Sequence, residues 1–156
     1  MDIEIKMIEY GDIIKAMKLI EEVFNEFVAH DYTQKGIKTF KEEFINNDDF
    51  IDKFSDGREK MYGAYVGEQL AGVLSISNHN TISCIFVKKE FHRMGIGTRL
   101  INRIIEEVKN SGVRRIRLNA SLYAVPFYHA VGFDEMGDVC EYKGIKYMPM
   151  ELDILQ

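Results

Sequence analysis

The segment from Ile82 to Val108 restricts what this chain can fold into more than any other. Ile82, Cys84, Ile85, Phe86 and Val87 crowd branched and aromatic side chains into six residues, the composition of a buried strand. A charged turn follows, then Gly95-Ile96-Gly97, and then a helical pattern. Leu100, Ile101, Ile104, Ile105 and Val108 share one face at 3.6 spacing, with Arg99, Asn102, Arg103, Glu106, Glu107 and Lys109 opposite. The two glycines therefore mark the point where a strand becomes a helix. Lacking Cβ atoms, they let the backbone approach a ligand closely, and the first helical N–H groups have no partner within the helix. Those donors and the positive end of the helix dipole suit an anion such as phosphate.

A Gly-x-Gly before a helix is also an ordinary turn, so other blocks must decide. There is no Gly-x-x-x-x-Gly-Lys-Ser/Thr. There is also no third glycine with an acidic partner about 20 residues on, which sets aside the two familiar nucleotide loops. Phe86-Val87 and His92-Arg93-Met94-Gly95-Ile96-Gly97 together resemble the acetyl-CoA signature of the GCN5-related N-acetyltransferases, the GNAT family, written Arg/Gln-x-x-Gly-x-Gly/Ala. A later block, Leu118-Asn119-Ala120-Ser121 followed by Pro126-Phe127-Tyr128-His129-Ala130-Val131-Gly132-Phe133, is similar to a second motif of that family. His92 departs from the usual Arg/Gln; the neighbouring backbone amides are what phosphates require.

The chain in order reads as β, two or three α, three β, α, β, α, β, β. The strand segments are Glu4–Glu9, Met61–Val66, Leu70–Ile76, Ile82–Val87, Arg115–Asn119, Val139–Tyr142 and Tyr147–Leu152. Asp12 is the expected N-cap of a first helix carrying Ile13, Met17, Ile20, Phe24, Phe27 and Val28. His30–Gly36 reads as a loop, and a second helix is expected near Thr39–Asn46. Ser111-Gly112 stops the central helix, and Val125–Val131 forms a short one. The fold class is α/β, a mixed sheet with helices on both faces. The resemblance implies the GNAT fold, with a central, mostly antiparallel sheet, over residues 1–156 as one domain.

Composition narrows the partners. With 156 residues, 46% hydrophobic and 29% charged, the chain has apolar material for a full core. A net charge of −5 argues against a nucleic-acid surface. The N-terminus lacks a signal-peptide profile and no apolar run reaches membrane length, so a cytoplasmic protein is expected. Cys84 and Cys140 show no metal-type spacing and are read as reduced thiols; no metal is expected. A homodimer is compatible with the sequence.

The resemblance assigns roles residue by residue. The amides of Gly95, Ile96, Gly97 and Thr98 would hold the pyrophosphate of acetyl-CoA, with Arg93 and Met94 lining it. The strand before them would splay from its neighbour, leaving the backbone at Phe86 and Val87 to pair with the pantetheine arm. Asn119 is either a turn residue or a bond to that arm. Tyr128 matches the family's general acid, and a phenol of pKa about 10 is protonated at neutral pH; a core aromatic is the competing reading. His30, Asp31 and Tyr32 fall where the family builds its acceptor pocket. Arg114, Arg115 and Arg117 read as a solvated strand edge. The carboxylate or histidine that many members carry on the central strand is absent at Thr81. His79 is then the nearest titratable candidate, expected to assist a water relay modestly. The activity implied is transfer of acetyl from acetyl-CoA to a primary amine, on a small molecule, peptide or protein lysine. The alternatives are a catalytically silent acetyl-CoA sensor and an interaction domain that binds no acetyl-CoA.

Overall fold

The computed structural model describes residues 2–154. Its centre is an eight-stranded sheet: β1 (Ile3–Met7), β2 (Glu59–Val66), β3 (Gln69–Ser77), β4 (Thr81–Val87), β5 (Arg115–Ser121), β6 (Asp134–Glu135), β7 (Cys140–Tyr142) and β8 (Ile145–Asp153). The spatial order is β1-β2-β3-β4-β5-β8-β6, with β7 also on β8. Every pairing is antiparallel except β4 with β5. That parallel pairing spans only Thr81↔Arg117 and Ile82↔Leu118, after which the two strands part.

Five helices cover the sheet: α1 (Ile13–Val23), α2 (Gln34–Phe40), α3 (Asp48–Asp52), α4 (Ile96–Val108) and α5 (Val125–Ala130). The apolar stripe of α4 buries Leu100, Ile101 and Ile104 against Leu74, Ile116 and Met150 on one face of the sheet. On the opposite face Ala16, Ile20 and Val23 of α1 pack with Met61 and Val73. Burial on this scale, at about 25 cal/mol per Å² of apolar surface, is what holds two helical layers to one sheet. Arg99 and Arg103 on the outer side of α4 donate to the carbonyls of Ile3 and Ile5, satisfying the β1 backbone. No helix among the described residues is long and apolar enough to cross a membrane.

Three local expectations change. Asp12 makes no side-chain cap; Tyr10–Asp12 form a tight turn that feeds directly into α1. Helix α2 starts five residues earlier than its apolar pattern suggests, because the Thr33 hydroxyl accepts from the Gly36 amide at 3.1 Å and caps it. After Val23 and after Phe40 the helices widen into π turns, Phe24–Val28 and Lys41–Ile45. The first of these turns rotates Phe24, Phe27 and Val28 toward a cleft above β4.

Candidate active site

Where β4 and β5 part, a cleft of about 640 Å³ opens. Its floor is β4 from Ser83 to Val87, and one wall is Asn119 and Ser121 of β5 with Tyr123, Phe127 and Tyr128 beyond. The other walls come from Phe24, Phe27 and Val28, and from the turn leading into α4.

That turn has the geometry its glycines suggest. Gly95 sits at φ +73°, ψ 17°, the left-handed region that favours glycine, and precedes the first residue of α4. No side chain caps this helix end, and its first internal bond runs from the Arg99 amide to the Gly95 carbonyl at 3.0 Å. The amides of Ile96, Gly97 and Thr98 are thus the helix's free donors, and all three residues line the cleft. A Cβ on Gly97 would lie 2.8 Å from the Phe127 ring, so this second glycine is required for α4 to pack on α5. Arg93 also has a left-handed backbone, φ +66°, and lines the cleft; Met94 packs instead against the core below. The His92 ring turns back, its Nε2 2.9 Å from the Val87 carbonyl oxygen and its plane 4.9 Å from Phe27.

Beyond Ile82, β4 has no β5 partner, so the backbone of Ile85, Phe86 and Val87 lies along an open seam. Tyr128 reaches this cleft from α5. Its ring is buried, edge-on to Phe127 and Phe133 at 5.3 and 5.7 Å. Burial, with the nearby Cys84 adding to it, holds the phenol well above its ordinary pKa, so the hydroxyl keeps its proton across the neutral range. Cys84, packed in the core with Sγ 3.2 Å from the Ser75 hydroxyl, is pushed by burial to about 12 and stays a thiol.

The structure gathers most of the sequence candidates and separates a few. Phe86, Val87, Arg93, Gly95, Ile96, Gly97, Thr98, Asn119, Tyr32 and Tyr128 all line the one cleft. Asp31 faces a smaller neighbouring cavity of about 90 Å³ that Tyr32 shares. His30 is exposed and lines neither. His79 sits exposed in the β3–β4 turn at φ +64°, off the cleft walls. Arg115 and Arg117 pair with Glu151 at 3.5 and 3.0 Å on the strand surface, as a solvated edge would. Among the described residues no three His, Cys, Asp or Glu side chains converge as a metal site.

Two features escape sequence reading. One is the aromatic wall: Phe24 stacks on Phe40 at 4.1 Å and meets Tyr32 edge-on at 5.2 Å, and Phe27 lies 6.3 Å from Tyr123. The other is Glu59, a buried carboxylate whose Oε2 accepts from Ser83 on the cleft floor at 2.8 Å. Its signal was a charged residue entering an apolar strand, which ordinarily means an exposed strand end.

Comparison with known proteins fits this geometry. The model of the acetyltransferase (GNAT) domain matches residues 28–154. A GCN5-related N-acetyltransferase from Rhodopseudomonas palustris superposes with a TM-score of 0.83 at 14% identity, over 96% of this chain and 94% of that one. The PaiA N-acetyltransferase of Thermoplasma acidophilum, solved in complex with coenzyme A, gives 0.77 at 20% identity over 98% and 99%. An uncharacterized N-acetyltransferase of Bacillus subtilis, YitH, is 30% identical over 78 residues; that is half of this chain but 27% of YitH. With a domain model matched across most of its length, the chain belongs to the GNAT family of acetyltransferases.

Proposed function

We propose that the chain acts as one acetyl-CoA-dependent N-acetyltransferase domain, and that its acceptor is a primary amine carried on an uncharged, apolar or aromatic body. The cleft's composition carries the second half of this reading. Its walls include six phenylalanines and two further tyrosines besides Tyr128, and no aspartate or glutamate. A polycationic acceptor would bring additional ammonium groups into walls that offer them no carboxylate, at a desolvation cost nothing repays. An amine with a single ammonium loses that charge during reaction, and its apolar body gains from the same surface.

The residues divide the work. The Ile96, Gly97 and Thr98 amides meet the cosubstrate's phosphates, and the β4 backbone at Phe86 and Val87, paired with β3 but not with β5, meets its extended arm as a further strand would. A backbone N–H on that edge polarises the thioester carbonyl. Attack by the neutral amine forms the C–N bond and breaks C–S. Tyr128 O–H gives its proton to the leaving sulfur and recovers one from the acylated nitrogen.

The test combines two measurements. Acetyl-CoA should raise the melting temperature, since a ligand that binds only the folded state stabilises it. Thiol release should then be at least about tenfold faster, in kcat/KM, with arylalkylamines than with spermidine, a difference of roughly 1.4 kcal/mol in transition-state binding. Spermidine as the better acceptor would overturn the apolar-acceptor reading. Thermal stabilisation without turnover on any amine, including peptide N-termini and lysine peptides, would return the chain to a sensor.

A further inference from the structure

Glu59 is the only acidic side chain buried among the described residues, 2% exposed at the start of β2. A carboxylate in such a place is costly unless it is ion-paired or fully hydrogen-bonded. Its partners are hydroxyls: Ser75 and Ser77 of β3, and Ser83 of β4. Lys53, at the end of α3, acts on it only through its field, while Arg58 beside it is engaged by Asp56 at 2.8 Å. Cys84, the other titratable group facing it, stays a neutral thiol. Burial is the largest influence on Glu59 and raises its carboxyl above the usual range.

Ser83 gives this arrangement a direction. It is the first β4 residue after Ile82, the last one paired with β5, so it stands at the apex of the seam. Its side is open to the cleft, and its hydroxyl donates to Glu59 Oε2 at 2.8 Å. A residue that lines the cleft and whose hydroxyl bonds a buried carboxylate is placed to act as a short proton wire.

We propose that Glu59 is the proton acceptor for the incoming amine, reached through the Ser83 hydroxyl. The inference rests on the acetyl-transfer reading above. In the step, the ammonium N–H bond breaks and its proton passes to Ser83 Oγ. The Ser83 proton passes to Glu59 Oε2, and the electron pair freed on nitrogen is the one that attacks. Ser83 touches the amine; Glu59 acts through it and fixes its orientation. An alkylammonium of pKa near 10.4 holds its proton at neutral pH, so some acceptor is needed, and the cleft walls carry no carboxylate of their own.

The test uses Glu59→Gln, Ser83→Ala, Ser83→Thr and His79→Ala on the full chain, with the best amine of the panel. Glu59→Gln should lower kcat about 100-fold near pH 7. That loss should shrink as pH approaches the amine's own pKa, where free amine needs no acceptor. Ser83→Ala should act in the same direction and Ser83→Thr, which keeps the hydroxyl, should restore most of the rate. The acetyl-CoA-induced thermal shift should be the same in all four. His79→Ala should cost less than about tenfold. Melting curves give a readout independent of turnover. A carboxyl raised by folding favours the fold most below its unfolded pKa, and that advantage fades as pH rises through the folded value. The parent should therefore lose stability relative to Glu59→Gln between about pH 4 and the raised pKa.

Rates within about threefold of the parent for Glu59→Gln, or equal losses for Ser83→Ala and Ser83→Thr, would overturn the relay while leaving the acetyltransferase reading intact. So would a loss unchanged by pH, or a hundredfold loss on His79→Ala. Should Glu59→Gln fail to fold, the two Ser83 variants decide. A parent that binds acetyl-CoA but acetylates no amine defeats the enzyme reading and the relay together.

Discussion

Replacing Tyr128 with phenylalanine is expected to lower the single-turnover rate by between about 10² and 10⁴-fold, the usual contribution of a general acid, and to leave acetyl-CoA affinity nearly unchanged. The substitution removes one oxygen from a ring held edge-on between Phe127 and Phe133, so the packing survives it. What disappears is a proton donor whose pKa burial keeps far above neutrality. A single-turnover measurement isolates the chemical step from product release. An unchanged rate would make Tyr128 a packing residue only.

Gly95→Val is expected to abolish the acetyl-CoA-induced thermal shift while the protein still folds. The backbone there is left-handed at φ +73°, which costs a non-glycine residue about 1–2 kcal/mol, or a melting temperature lower by roughly 2–8 °C. A Cβ at this position meets nothing within 4 Å, so the first side-chain atom does not collide with the fold, and the position adjoins the free amides of α4. Gly97 is the poorer choice for this test, because a Cβ there drives into Phe127 and confounds binding with stability. A Gly95→Val protein that still gains as much stability from acetyl-CoA as the parent would remove the glycine turn from the phosphate site.

Helix α4 was legible because five apolar side chains at 3.6 spacing admit one burial face, and burial decides its placement. The glycine turn and seven of the strand segments were legible from local composition, and the later block through its resemblance to a family motif, whereas the two-residue β6 gave no local signal. Helix α2 was misplaced because Gly36 looks like a breaker. In the fold, a Cβ at that position would sit 2.5 Å from the Gly144 carbonyl oxygen, a constraint set by residues over a hundred positions away. Thr39, donating to the Lys143 carbonyl at 2.7 Å, ties the same two segments. Glu59 was invisible as a site residue for a similar reason: its burial depends on serines from two other strands. His79 drew notice through its nearness in sequence to β4, but it sits exposed in the β3–β4 turn and does not line the cleft.

The early parting of β4 and β5 also bears on how the molecule assembles. The strands β2, β3 and β4 are joined by short turns, so their pairing closes small loops and can form early. Joining this half to the half built on β5 and β8 means bringing Ile82 to Leu118 with the whole of α4 between them, for a reward of two residue pairs. The loop-closure entropy of that step is met by few contacts, so the junction should form after the rate-limiting barrier. Ile82→Val and Leu118→Ala should then speed unfolding far more than they slow folding; φ-values near one at both would show the reverse, that the two halves meet first. The gap that opens the cleft would thus be the last part of the sheet to close.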